Sequence, residues 1–258
     1  MVKYISMLII LLHFSGYFYN ANCQNSVFII SDLDDTYKIT NSAHFIPALF
    51  NIAFTKKSFV GNAELYKKIS NDGKNLIILS KTPDIFRKRV IKLMEKDSIF
   101  PSEIILKKLK NNKDTYKVEA IKQILSQNPD YLLILIGDDV SHDHEVYAQI
   151  LKDYPDKVLD IYIRQVIGRN LPSNEKLFST SFDLAVYEYQ ADRLEIEDVE
   201  EIADCLLSNY ENKLLKPHFV KSMIYPEFKN LPLKIEIKNQ KIKILTCDSL
   251  ITKKSAKN

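Results

Sequence analysis

The strongest constraint on the fold is a series of short apolar segments separated by segments with a helical pattern. Each apolar segment has the length of a strand and few polar positions, which is typical of strands buried on both faces of a sheet. The predicted strands are Ser26–Ser31, Asn75–Ser80, Glu103–Leu106, Tyr131–Gly137, Val158–Ile163 and Leu184–Tyr189. The alternation predicts an α/β fold, a Rossmann-like parallel sheet with helices on both faces.

Three positions between the predicted strands carry signals of helix starts. Asn62 precedes "AELYKKIS", Pro83 opens "PDIFRKRVIKLMEK" and Asp114 precedes "TYKVEAIKQIL". Asn and Asp are common N-cap residues and proline is favoured in the first turn, so we expect helices to start there.

The N-terminus has the pattern of a secretory signal peptide. Lys3 is followed by a mostly apolar stretch from Ile5 to Phe18, and Ala21 and Cys23 occupy the positions before a cleavage site. The stretch is shorter than the about 20 apolar residues of a membrane span, and Asn22 before Cys23 is unsuitable for lipidation. We therefore expect cleavage and export, to the outside, the periplasm or the secretory pathway.

The C-terminal stretch "LPLKIEIKNQKIKILT" alternates apolar and polar residues around Asn239 and Gln240, which predicts a hairpin. The expected organisation is a signal peptide at 1–23, an α/β domain at 24–212 and an extension with the hairpin at 213–258. If the protein is exported, Cys205 and Cys247 meet an oxidising compartment, where they either pair or stay as buried thiols.

Composition excludes several classes of function. The net charge is +3 over 258 residues, and the basic residues are interspersed with acidic ones, so nucleic acid is not the expected partner. The three cysteines have no paired spacing of the kind that binds zinc. No glycine-rich phosphate-binding loop is present either.

Polar residues follow the ends of three predicted strands. Asp32 and Asp34 come after the first strand, Ser80 ends "NLIILS", and "GDDVSHD" follows "YLLILI". Ligands of open parallel sheets bind outside the carboxyl ends of the strands, so these residues are expected to converge. Close carboxylates repel one another, and the pattern therefore predicts a cation site.

These motifs resemble those of the haloacid dehalogenase superfamily. "DLDDT" resembles its first motif, D-x-D-x-T, while Ser80, Lys117, and Asp138 with Asp143 resemble the second, third and fourth. More narrowly, "SDLDDTYKIT", "KVEAI" and "LIGDDVSHDHEVYAQILKDYPDKVLDIYIRQV" are similar to the catalytic domain of phosphatidate phosphatases of the actin-patch-protein type. The resemblance implies a phosphatase of a phosphorylated substrate, with Mg²⁺ as cofactor.

By this resemblance, Asp32 is the nucleophile that becomes an aspartyl phosphate, with its second oxygen on the metal. Asp34 binds Mg²⁺ through its backbone carbonyl, while its side chain protonates the leaving oxygen and later deprotonates water. Asp138 is a third ligand, and Asp143 supports it or a coordinated water. Ser80 and Lys117 donate to phosphoryl oxygens.

Lys38 and Arg164 also match the narrower family. Each is either a contact to an anionic head group or part of a surface ion pair at a strand end. Asp35 and Asp139 are interpreted as turn residues. His142 and His144 flank Asp143, but Mg²⁺ prefers oxygen, so they are left out of the metal site.

The insertion between the first two motifs contains "HFIPALFNIAFTKK", which has few polar positions on any helical face. It is either ordinary core or a flap that meets acyl chains transiently at a membrane surface, with Lys56 and Lys57 at anionic head groups. No insertion is long enough for a large cap, so a small cap or none is expected. An open crevice suits a bulky substrate.

Three functions remain open at this point. The first is a Mg²⁺-dependent phosphomonoester hydrolase, with phosphatidate as the leading substrate and diacylglycerol and phosphate as products. The second is a lipid-binding or sensing module on the same fold. The third is a secreted phosphatase for small soluble esters. The oligomeric state has no signal in the sequence.

Overall fold

The computed structural model describes residues 26–40, 58–108, 115–171 and 175–211. Within them the strands are β1 Ser26–Ser31, β2 Leu76–Pro83, β3 Glu103–Lys107, β4 Tyr131–Asp138, β5 Val158–Arg164 and β6 Lys176–Phe178. The helices are α1 Asn62–Ile69, α2 Arg87–Lys96, α3 Tyr116–Gln127, α4 Asp143–Asp153, α5 Ser181–Gln190 and α6 Ile196–Glu211.

The strands form one parallel sheet in the order β3-β2-β1-β4-β5-β6. The chain leaves β1 towards β2 and β3 on one side and returns to β4 on the other, so the order reverses between β1 and β4. Ser31 pairs with Ile136, which brings the carboxyl ends of these two strands side by side. This reversal point is where open α/β sheets bind their ligands. The predicted α/β architecture is confirmed.

Alternate residues of the central strands pack into two cores on opposite faces of the sheet. Ile29 and Ile134 contact the core beneath α1, α2, α5 and α6. Ile30 and Leu135 contact the core beneath α3 and α4. The strands are therefore covered on both faces, which explains why their sequences are almost continuously apolar.

The predicted strand Leu184–Tyr189 is wrong, because these residues lie in helix α5. Thr180 caps this helix: its side chain accepts a hydrogen bond from the Asp183 backbone, and the Asp183 side chain accepts one from Thr180. A short apolar run is compatible with either a buried strand or a buried helix. Here the capping box formed by Thr180 and Asp183 favours the helix. The edge strand β6 is only three residues long and was not predicted.

Two of the predicted helix starts differ from the structure in the residue that begins or caps the helix. Asn62 is the first residue of α1, but its side chain does not cap the helix; it donates to the Thr36 and Tyr37 carbonyl oxygens. Pro83 ends β2, and a 3-10 turn, Asp84–Phe86, precedes α2. The two hydrogen bonds of Asn62 link α1 to the loop that follows β1.

Several predictions fall outside the described residues: the signal peptide, the apolar insertion at 44–57, the helix start at Asp114, Cys247 and the C-terminal hairpin. They remain predictions, as do the domain boundaries. Among the helices of the described ranges, none has the length and hydropathy needed to span a bilayer.

Candidate active site

Three buried carboxylates converge at the reversal point of the sheet. Asp32 follows β1, Asp138 ends β4 and Asp143 begins α4; each offers an oxygen atom within 4.8 Å of the others. The pairing of β1 with β4 sets the first two side by side. The four residues between β4 and α4 turn the chain so that Asp143 joins them.

Lys117 lies at the centre of this cluster. It comes from the first turn of α3, and its Nζ donates to Asp32 Oδ1 at 2.7 Å and to Asp143 Oδ1 at 2.5 Å. Burial alone lowers the pKa of Lys117, but Asp143 and Asp32 raise it above its ordinary value. The buried lysine is therefore a charged link between two carboxylates.

One ammonium does not balance three carboxylates in a buried site. Burial raises the pKa of Asp32 well above its ordinary value, and the neighbouring carboxylates add to the rise against the effect of Lys117. Burial, followed by repulsion from Asp143, raises the pKa of Asp138 to about 7. Both shifts have the same leading cause, which is burial away from water, and the repulsion between the neighbouring carboxylates adds to it.

The cluster fits a hard divalent cation such as Mg²⁺. Its donors are carboxylate oxygens, the ligands that Mg²⁺ prefers. Among the described residues, Asp143 Oδ2 is fully buried and has no hydrogen-bond partner. A buried carboxylate oxygen without a partner is costly, and a cation would satisfy it. Gly137 leaves space for this oxygen, because a Cβ there would lie 2.7 Å from it.

Asp138 is oriented by the loop that follows β4. Its Oδ1 accepts hydrogen bonds from the backbone N–H of Val140 at 2.8 Å and of Ser141 at 2.7 Å. Its Oδ2 accepts from Thr36 Oγ1 at 3.2 Å and from Ser141 Oγ at 3.2 Å. These donors hold the carboxylate in one orientation.

Asp34, which is partly exposed, forms a second group with buried residues beside the acidic cluster. Its Oδ1 accepts from Thr40 Oγ1 at 2.7 Å and from Lys38 Nζ at 3.3 Å, and its Oδ2 accepts from Thr82 Oγ1. The Thr82 backbone N–H donates to Ser80 Oγ at 3.0 Å. Thr82 thus joins the end of β2 to the loop after β1, with Ser80 and Asp34 on either side.

Arg164 lies at the end of β5, in the interior. Its guanidinium donates to the Thr36 carbonyl at 3.0 Å, to Asn62 Oδ1 at 2.9 Å and to the Ser179 carbonyl. Burial lowers its pKa to about 10, and the side chain is 1% exposed. These contacts tie the loop after β1 to α1 and β6; its contact with a substrate remains a prediction.

Two sets of site residues follow from the geometry. The structure brings Asp32, Lys117, Asp138 and Asp143 together. It also joins Asp34 to Lys38 directly and to Ser80 through Thr82. Thr36, Thr40 and Thr82 were not predicted. Thr36 stands in the quoted motif "DLDDT", whereas nothing in the spacing of the other two distinguishes them from ordinary strand and loop threonines.

Comparison with known families gives one match. The family model described as "Phosphatidate phosphatase APP1, catalytic domain" matches residues 27–165, a segment that contains all eight predicted site residues. No curated protein and no solved structure matches the chain.

The first prediction concerns the melting temperature with and without Mg²⁺. Burial and repulsion from Asp143 raise the pKa of Asp138 from an ordinary value of 3.8 to about 7 in the metal-free folded state. Between these two pH values, the folded state therefore keeps a proton on Asp138 that the unfolded state has lost. Its free energy of unfolding therefore falls as the pH rises from about 4 to about 7. Saturating Mg²⁺ should reverse this loss and raise the melting temperature by about 5 °C at pH 8.

The matched variants are Asp138→Asn, in which Mg²⁺ should have no effect on the melting temperature, and Asp156→Asn, which changes an exposed turn residue and should behave as the parent does. Identical melting curves of the parent protein in EDTA and in Mg²⁺ at pH 8 would contradict a metal site.

Proposed function

Because this chain belongs to the family of the phosphatidate phosphatase APP1 catalytic domain, we propose that it is a Mg²⁺-dependent phosphatase acting on phosphatidate. The products are diacylglycerol and inorganic phosphate. The observation that carries the proposal is the bridge from Lys117 to Asp32 and Asp143, with Asp138 in the same cluster. It supplies a nucleophilic carboxylate in a site that needs a cation.

A phosphorylated substrate adds further negative charge to a site that already has more carboxylates than cations. A phosphomonoester is a dianion near neutral pH, and it is repelled by the Asp32 carboxylate that must attack it. Bound Mg²⁺ supplies the positive charge that offsets this repulsion during phosphoryl transfer. Asp32, Asp138 and the unpartnered oxygen of Asp143 would hold the ion.

In the first step, a carboxylate oxygen of Asp32 attacks phosphorus. The bond from phosphorus to the glycerol oxygen breaks, its electron pair stays on that oxygen, and an aspartyl phosphate forms. Asp34 donates its proton to the leaving oxygen, giving the diacylglycerol hydroxyl. Lys117 holds Asp32 at Oδ1, so the carboxylate keeps one orientation as it reacts.

In the second step, water attacks the phosphorus of the aspartyl phosphate. Asp34, now ionised, takes the proton of the water, and Asp32 leaves as a carboxylate. Thr40 and Thr82 each donate to one oxygen of Asp34, and Lys38 approaches the first of these oxygens. These contacts fix the direction in which Asp34 delivers and receives its proton.

Ser80 and Lys117 are the donors to phosphoryl oxygens. The Ser80 hydroxyl accepts from the Thr82 N–H, and its own hydrogen can be donated to the substrate. Lys117 already bridges two carboxylates, so its positive charge acts on the phosphoryl group from a fixed position. Fixed donors of this kind stabilise charge that develops in the transition state.

The next prediction is a test of the nucleophile. Asp32→Asn should reduce phosphate release from phosphatidate in mixed micelles by at least about a thousandfold, since the amide cannot form the aspartyl phosphate. Removing Mg²⁺ with EDTA should reduce the parent rate similarly. Asp156→Asn, an exposed acid near the start of β5, is the matched control and should retain the parent rate.

Appreciable turnover by Asp32→Asn would contradict the mechanism. Phosphate release from a soluble phosphomonoester but not from phosphatidate would assign the protein to the soluble-ester class. Binding of phosphatidate without release of phosphate would assign it to the lipid-binding class.

A further prediction isolates the contact from Thr82 to Asp34. Thr82→Val keeps the shape of the side chain but removes the hydroxyl, so kcat should fall by about tenfold or more while KM changes little. Thr82→Ser retains the hydroxyl and should restore most of kcat. A parent-like kcat of Thr82→Val together with a reduced kcat of Thr82→Ser would contradict the role of the hydrogen bond, because valine keeps the methyl group and serine lacks it.

A further inference from the structure

Two large apolar side chains are exposed at the carboxyl edge of the sheet, the edge at which the acidic cluster lies. Ile85 is 81% exposed in the 3-10 turn after β2, and Ile167 is 44% exposed in the loop after β5. In the sheet order, β1 and β4 lie between β2 and β5. Three strand spacings therefore separate β2 from β5, a distance of about 14 Å. The two isoleucines thus lie on either side of the site.

The turn that carries Ile85 is held firmly. Arg87 donates from Nε to Asp84 Oδ1 at 2.8 Å and from a terminal nitrogen to the Ile104 carbonyl at 2.7 Å. The first contact closes the turn on itself, and the second attaches it to β3. Ile85 therefore projects from a fixed turn.

The loop that carries Ile167 is held by Asp139. This carboxylate is fully buried and accepts the backbone N–H groups of Val166 at 2.7 Å, Ile167 at 3.0 Å and Arg169 at 2.9 Å. Asp139 directly follows Asp138 of the acidic cluster. One turn thus provides both a carboxylate of the site and the anchor of an exposed apolar loop.

The charges around the exposed apolar residues differ between the two edges of the sheet. Near Ile85, the first turn of α2 exposes Lys88 and Arg89, and Lys108 is exposed just after β3. The exposed acids of this edge include Glu119 in α3 and Glu145 in α4, which are on other elements than Ile85. The opposite edge also exposes apolar side chains, Phe100 and Leu159. There the neighbouring exposed residues are of both signs: Asp72, Glu103 and Asp156 are acids, and Lys74 and Lys96 are bases.

We propose that the carboxyl edge docks on an anionic phospholipid bilayer, with Ile85 and Ile167 entering the interface and Lys88, Arg89 and Lys108 facing the head groups. This proposal rests on the proposed function and adds how the substrate is reached. Exposed apolar side chains flanked by cations are the combination that binds an anionic interface. Docking in this orientation turns the sheet edge at which the acidic cluster lies towards phosphate groups at the membrane surface.

The experiment is sedimentation of the full chain with vesicles of phosphatidylcholine and phosphatidylserine in equal parts, and with vesicles of phosphatidylcholine alone. Both lipids are phosphodiesters, so the result does not depend on hydrolysis of phosphatidate. We expect binding to the anionic vesicles that weakens with added salt. Ile85→Ser with Ile167→Ser should weaken this binding by about tenfold.

Phe100→Ser is the matched control, because it removes an exposed apolar side chain from the opposite edge, and it should bind as the parent does. Lys88→Gln with Arg89→Gln should weaken binding to anionic vesicles alone. Melting temperatures should show that every variant folds.

Three results would overturn the proposal: no binding to anionic vesicles, equal binding to both kinds of vesicle, or full binding by the double isoleucine variant. Dimerisation of the parent protein that the isoleucine substitutions abolish, without vesicle binding, would also overturn it by assigning the surface to a second copy of the chain.

Discussion

The bridge from Lys117 to Asp32 and Asp143 is the interaction on which the site depends. It joins three parts of the chain that are distant in sequence: the end of β1, the start of α3 and the start of α4. Asp138 adds a third carboxylate, and burial, followed by repulsion from Asp143, raises its pKa to about 7. The bridge holds the carboxylates together, and the uncompensated charge makes the same cluster a candidate cation site.

Much of the sheet could be predicted because its strands are buried on both faces. Such strands need continuous apolar runs, and β1 matches its predicted range completely. The strand predicted at Leu184–Tyr189 failed because α5 is also buried almost all round, and an apolar run alone does not distinguish the two. The three residues of β6 are too few to show a repeating pattern of apolar and polar residues. They form a strand only because the fold places them beside β5.

The acidic cluster could be anticipated because its residues follow strand ends and match known motifs in order. Thr40 and Thr82 could not, because a threonine hydroxyl becomes specific only when the fold brings a partner such as Asp34 within hydrogen-bond distance. Asp139 was interpreted as a turn residue. Its position in a turn is correct, but its bonds to the loop after β5 span 27 to 30 positions of sequence, which no local pattern indicates.

The most direct test of the central claim is calorimetric titration of the protein with Mg²⁺ at pH 8. Parent protein and Asp156→Asn should bind a single ion with similar affinity, since the acidic cluster is intact in both. Asp138→Asn should lose that binding, because it removes one of the carboxylates that create the uncompensated charge. Absence of Mg²⁺ binding by the parent protein, or undiminished binding by Asp138→Asn, would contradict the account.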